Sequence, residues 1–114
     1  HYAPKGELTI YEGTQEAVVA AINAEITKRL SEGAVVGVLA TDETAAAYVG
    51  GTVYSIGSRK DEESIAAHLY RTLREFDEIG ADYIYSESFD DNPLSSAIMN
   101  RLRKAAGYRT ITIK

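Results

Sequence analysis

The sequence predicts one α/β domain with a five-stranded, mostly parallel sheet and helices on both faces. Short apolar runs alternate with amphipathic stripes of helical period from end to end, and glycines or capping side chains separate them. The chain's 114 residues, 45% hydrophobic and 25% charged, suit a single ordinary core.

The elements follow in order. Glu7 to Glu12 alternates, with Leu8 and Ile10 inward, and reads as a strand ending at Gly13-Thr14. Thr14 is placed to cap a helix over Gln15 to Ser31, where Val18, Ile22, Ile26 and Leu30 recur every fourth residue beside Ala21 and Gly33 stops the run. Ala34 to Ala40 is continuously apolar, as expected of a central strand covered on both faces. Asp42 to Val49, with its alanine triplet, is read as two turns of helix before Gly50-Gly51. Thr52 to Ile56 is the third strand.

Asp61 then caps a long helix carrying Ile65, Leu69, Leu73, Phe76 and Ile79 as far as Gly80. Asp82 to Glu87 is the fourth strand. Asn92-Pro93 starts a third helix, striped by Leu94, Ile98, Leu102 and Ala105 and closed by Gly107; Arg109 to Ile113 is the fifth strand. Such alternation implies right-handed crossovers and a strand order of 3-2-1-4-5 or 2-1-3-4-5.

Composition excludes several classes of function. Without cysteine there are no disulfides, thiolate metal sites or cysteine nucleophiles, and two histidines, His1 and His68, make a histidine-rich metal site a poor expectation. A net charge of −5 speaks against a general nucleic-acid or anionic-membrane binder. The longest apolar stretch is far short of the roughly 20 residues of a membrane span, so a cytoplasmic setting is expected. An opening histidine reads as an excised piece of something longer.

Ligands of open α/β sheets bind beyond the carboxyl ends of the strands, at helix N-termini. The loop Gly57-Ser58-Arg59-Lys60-Asp61 puts a glycine, a hydroxyl and two cations at such a start, which suits a phosphate or carboxylate; it equally fits a glycine turn with Asp61 capping and both cations in water. Asp42, Glu43, Glu87, Asp90 and Asp91 read as solvated loop acids or as ligands converging on a divalent cation. No dinucleotide or P-loop fingerprint follows any strand. A phosphoacceptor receiver would need an aspartate where Gly57 and Ser58 stand. His68 reads as a packing or surface residue. Tyr83 and Tyr85 share one side of a strand and, with Tyr11 and Tyr54, suit either a partly wet interface or a core with bonded hydroxyls. Asn100, Arg101, Arg103 and Lys104 give the last helix a polar face. No catalytic constellation emerges.

Read together, His1-Tyr2-Ala3-Pro4-Lys5, Gly57-Ser58-Arg59-Lys60-Asp61, the run from Leu69 to Asp77 (LYRTLREFD) and the run from Ala97 to Ala106 (AIMNRLRKAA) resemble the C-terminal domain of the long, two-domain threonylcarbamoyl-AMP synthases, whose catalytic half is of the YrdC family. The resemblance spans the chain. It implies a three-layer, Rossmann-like accessory domain over residues 7–114, preceded by the end of an interdomain linker over residues 1–6. It also implies that His1, Tyr2 and Pro4 contact the catalytic domain as the linker crosses its pocket. Where related domains carry a glycine-containing loop before AIMNRL, this chain has Asp90 to Ser96.

The expected role is docking on the N-terminal catalytic domain of an enzyme that makes threonylcarbamoyl-AMP from ATP, threonine and bicarbonate for tRNA modification. Cofactors are expected only in that other domain, as ATP and magnesium. No catalytic or metal residue is assigned here. Ser58, Arg59, Asp61, Glu87, Asn100 and Arg101 are the candidates for a docking surface or ligand crevice, and a small-molecule sensing module at the strand ends is the rival reading.

Overall fold

A computed structural model describes residues 2–89 and 95–114. Its elements are β1 (Glu7–Glu12), α1 (Gln15–Ser31), β2 (Val36–Ala40), a single 3₁₀ turn (Ala45–Ala47), β3 (Thr52–Ser55), α2 (Glu62–Glu78), β4 (Tyr83–Ser86), α3 (Ser95–Ala105) and β5 (Thr110–Thr112). His1, Asp90, Asp91, the Asn92-Pro93 cap and Leu94 lie outside the described residues.

All four strand pairings are parallel, and the order is β3-β2-β4-β1-β5. Neither expected order is correct, because β4 inserts between β1 and β2. Leu8 of β1 pairs with Ile84, and Val38 of β2 with Tyr85. The central strand is therefore β4. The continuously buried β2 lies one place further out, between β4 and β3, which explains its apolar sequence without a central position.

Two apolar layers enclose the sheet. On one face α1 packs Val18, Ile22 and Ile26 against Val36, Val38, Tyr11 and Tyr85. On the other, Leu69, Leu73 and Phe76 of α2 and Ile98 and Leu102 of α3 pack against Leu8, Leu39 and Ile84. The chain thus steps from β1 out to β3 along the α1 face and returns to β5 along the other, as right-handed crossovers require. Gly37 exists for this packing: a Cβ there would lie 2.5 Å from the Phe76 ring.

The N-caps of α1 and α2 are those the sequence predicts. The Thr14 hydroxyl accepts from the Ala17 N–H at 3.2 Å, and the Asp61 carboxylate from the Ser64 N–H at 3.1 Å. Three details differ. The Asp42 to Val49 connection holds one short 3₁₀ turn instead of two helical turns, since Thr41 and Thr44 turn the backbone tightly through their own bonds. Leu30 and Ile79 keep the stripe spacing but are exposed, Leu30 in the last turn of α1 and Ile79 at the C-cap of α2.

Candidate functional site

The loops after β1, β3 and β4 meet at the carboxyl edge of the sheet, and the chain leaves β1 for one face and β4 for the other. This parting is where an open parallel sheet leaves a crevice. A cavity of about 290 Å³ occupies it, walled on the β1–α1 side by Glu12, Gly13, Gln15 and Val18. Arg59, Glu87 and Ser88 complete the wall.

Glu87 organises the site. One residue beyond β4, it is only 1% exposed, so its carboxylate must find partners inside the protein. Arg59 Nη2 donates to Oε1 at 2.8 Å, and the Thr41 hydroxyl to the same oxygen at 3.3 Å. Oε2 accepts from Thr44 and, at 2.5 Å, from the Tyr48 hydroxyl. Arg59 Nη1 also donates to the Ser88 carbonyl at 3.0 Å, and its guanidinium carbon lies 5.3 Å from the centre of the Phe89 ring. The Tyr48 phenol is pushed far above its ordinary range by burial, reinforced by the adjacent Glu87 charge.

The loop leading to α2 is fixed by a second acid. Glu43 accepts from the Ser58 hydroxyl at 2.6 Å and from the Arg59 N–H at 3.0 Å, which hold its carboxyl below the usual range, the Ser58 bond contributing most. Asp42 accepts from Ser55 at 2.6 Å. Asp42 and Glu43 nonetheless stay exposed, as solvated loop acids do, and among the described residues no group of three or more potential metal ligands forms. The expectation of solvated loop acids fails at Glu87, which is buried.

The sequence candidates therefore separate. Arg59 and Glu87 form one ion pair, so Arg59 is not a cation in water. Ser58 supports their loop through Glu43, and Asp61 caps α2. Asn100 and Arg101 lie on the exposed face of α3 and are not among the described residues lining the cavity. Sequence reasoning missed Tyr48 and Thr44; two threonines bracketing an acidic turn after a buried strand were the available signal. His68 bonds within its own neighbourhood, near the Ser64 hydroxyl and the Ile56 carbonyl.

The tyrosines resolve as well. Tyr11, Tyr48 and Tyr85 are buried, and Tyr83 stacks on Tyr85 with centroids 6.5 Å apart. Arg29 lies 4.1 Å over the Tyr83 ring and donates to both Tyr83 and Tyr85 hydroxyls. Tyr48, Tyr83 and Tyr85 thus have bonded hydroxyls, and of these Tyr48 and Tyr85 are buried in the core.

A different arrangement occupies the opposite edge of the sheet. Asp77, near the end of α2, receives the Tyr2 hydroxyl on one oxygen and the Lys5 N–H, at 2.9 Å, on the other. The Tyr2 ring meets Tyr70 edge-on at 6.5 Å, and the phenol is pushed up to about 12 by burial and by the Asp77 bond. Gly6 then passes so close to Ala81 that a Cβ would collide with the Ala81 carbonyl. Pro4 is half-buried. The segment before β1 is thus clamped to its own domain.

The fold and the site define a small Rossmann-like α/β domain with a polar crevice at its strand ends and an anchored N-terminal segment. Residues 1–107 match the profile of the family described as threonylcarbamoyl-AMP synthase, C-terminal domain, and the chain belongs to that family. It is 47% identical over 97% of its length to the threonylcarbamoyl-AMP synthase of Bacillus subtilis (strain 168), covering 31% of that protein. Against the threonylcarbamoyl-AMP synthase of Pyrococcus abyssi (strain GE5 / Orsay) it is 39% identical over 99%, covering 32%.

The crystal structure of Pyrococcus abyssi Sua5 complexed with L-threonine superposes with a TM-score of 0.86 at 37% identity, covering all of this chain and 32% of that one. The C-terminal Sua5 domain from Pyrococcus horikoshii gives a TM-score of 0.77 at 29% identity, covering 97% of this chain and the whole of that one. The chain spans about a third of the length of the curated relatives it matches.

Proposed function

We propose that this chain is the accessory domain of a two-domain enzyme that makes threonylcarbamoyl-AMP from ATP, threonine and bicarbonate, the intermediate used to install threonylcarbamoyladenosine in tRNA. In this reading it docks on an N-terminal catalytic domain and anchors the linker that closes over the active site. ATP and magnesium belong to that catalytic domain. His1, Tyr2 and Pro4 belong to the linker, and turnover needs no catalytic group from this chain.

The observation that carries the reading is the Asp77 clamp. A lid can close reproducibly only if one end is fixed, and a carboxylate taking two donors from residues three apart fixes both the direction and the rotation of the segment. The clamp lies at the amino edge of the sheet, opposite the crevice. Among the described residues no helix is long and apolar enough to cross a membrane.

The test is threonylcarbamoyl-AMP synthesis by the two-domain enzyme carrying Asp77→Ala. Loss of the anchor should lower synthesis severalfold while circular dichroism and the melting temperature stay close to those of the parent. Synthesis at the parental rate after substitution of Asp77, or after removal of the whole domain, would sink the proposal.

A further inference from the structure

Among the described residues the exposed apolar side chains are gathered at one edge of the sheet. Six large ones stand exposed, and five of them, Leu30, Val35, Val49, Ile79 and Tyr108, lie where a helix ends or the chain turns into the amino end of a strand. The sixth, Ile111, is on β5. None belongs to the described carboxyl-edge loops around Thr41, Ser58 and Glu87, whose polar side chains bond within those loops. Building on the docking role proposed above, we infer that the amino edge of the sheet is the face against which the N-terminal catalytic domain of the same chain packs.

Single exposed apolar side chains are ordinary on a monomer, but a set gathered on one edge marks a contact surface. Leu30 reaches Gly50, where a Cβ would lie 3.1 Å from its methyl carbon, so it adjoins Val49. The Val35 carbonyl accepts from the Asp82 N–H at 2.8 Å, which sets Val35 beside the turn that follows Ile79. These four form a band across the amino ends of β3, β2 and β4, and Tyr108 stands before β5 on the far side of β1. Arg29, Asp77 and Asp82, at the same edge, are engaged inside the domain: Arg29 with Tyr83, Tyr85 and Glu32, Asp82 with the Val35 N–H, and Asp77 with Tyr2 and Lys5. Exposed Lys28, Glu78 and Lys104 supply the polar rim usual around an apolar contact.

The occupant follows from where the rest of such a protein joins. The chain matches a C-terminal domain and covers about a third of its curated relatives, so the bulk of a protein of that kind precedes β1. The residues leading into β1 are pinned between Ile79 and Tyr108, Tyr2 and Lys5 to Asp77 and Gly6 against the Ala81 carbonyl. A domain joined there is tethered at this edge, where its effective concentration is highest. A hollow of about 250 Å³, lined by Lys5, Gly6, Asp77, Gly80, Ala81 and Asp82, opens beside the pinned segment and offers a partner side chain a seat.

Hydrogen–deuterium exchange on the two-domain enzyme and on the 114-residue chain alone tests the assignment. The Pyrococcus horikoshii domain, a whole crystallised chain of the same extent, shows that such a domain folds by itself. In the two-domain enzyme, residues 28–36, 48–52 and 78–82 should exchange about tenfold more slowly than in the separate chain, and residues 41–46 and 57–61 at the same rate. Val49→Lys combined with Ile79→Lys, both at exposed positions, should abolish that difference while the melting temperature of the separate chain stays within about 2 °C.

Protection at residues 41–46 and 57–61 in place of the amino edge, or protection that survives the double variant, would overturn the face and leave the docking role standing. Slow exchange at the amino edge of the separate chain that grows with its concentration would give the band to a second copy and overturn the assignment. No protection anywhere in this domain would overturn the docking role together with the face.

Discussion

Replacing Arg59 by alanine isolates the energetics of the Glu87 cage. Removing one partner of a buried ion pair costs about 3–5 kcal/mol, because the other charge is left without compensation. Glu87 is nearly inaccessible, its side chain 2% exposed, but that of Arg59 is 22% exposed and borders the cavity, so water can take part of its place. The Thr44 and Tyr48 hydroxyls also remain. The lower end of the range, about 3 kcal/mol, is therefore expected.

Unfolding entropy of about 2.1 cal/mol/K per residue gives roughly 0.24 kcal/mol/K for 114 residues, so the melting temperature should fall by about 12 °C. Thermal and urea denaturation followed by circular dichroism at pH 7 would measure it. The discriminating comparison is the double variant with Glu87→Gln. If the buried charge is the cause, neutralising it in the Arg59→Ala background should restore part of the loss, leaving a coupling of about 1–3 kcal/mol. A loss below about 1 kcal/mol, or strictly additive single changes, would refute the reasoning.

Gly37→Ala should destabilise by about 1–3 kcal/mol, because its Cβ has no room beside Phe76; denaturant titration checks this. Thr14→Ala should cost about 1 kcal/mol by removing the α1 cap, and Thr14→Ser should recover most of it. Burial holds the Tyr11 phenol at about 12, above its ordinary 10. The folded chain therefore keeps this proton longer than the unfolded chain: the contribution is complete below pH 10 and lost as pH rises through about 12. Urea midpoints should fall over that window, and Tyr11→Phe should flatten the fall. Asp77→Asn should move the Tyr2 phenol back toward its ordinary range, read by ultraviolet titration against a Tyr2→Phe control.

Much of this protein is decided by interactions close together in the sequence, and those were legible. The Thr14 and Asp61 caps act across three residues, and the stripes of α1 and α2 repeat within a turn or two. Their periodicity fixed the element order and the α/β class, while local motifs such as AIMNRLRKAA carried the family resemblance. Arg59 and Glu87 were also visible as residues at strand ends, where α/β sheets place their ligands.

The tertiary structure decided what depends on distant partners. The order β3-β2-β4-β1-β5 follows from which sheet edges the crossovers reach, and local periodicity does not record that choice. Glu87 looked like a loop acid because the groups that bury it stand 28 to 46 residues away, and Asp77 looked like a helix-end charge because Tyr2 is 75 residues away. A side chain's sequence neighbours set its backbone conformation. Its partners across the fold determine whether its charge sits in water or in a cage.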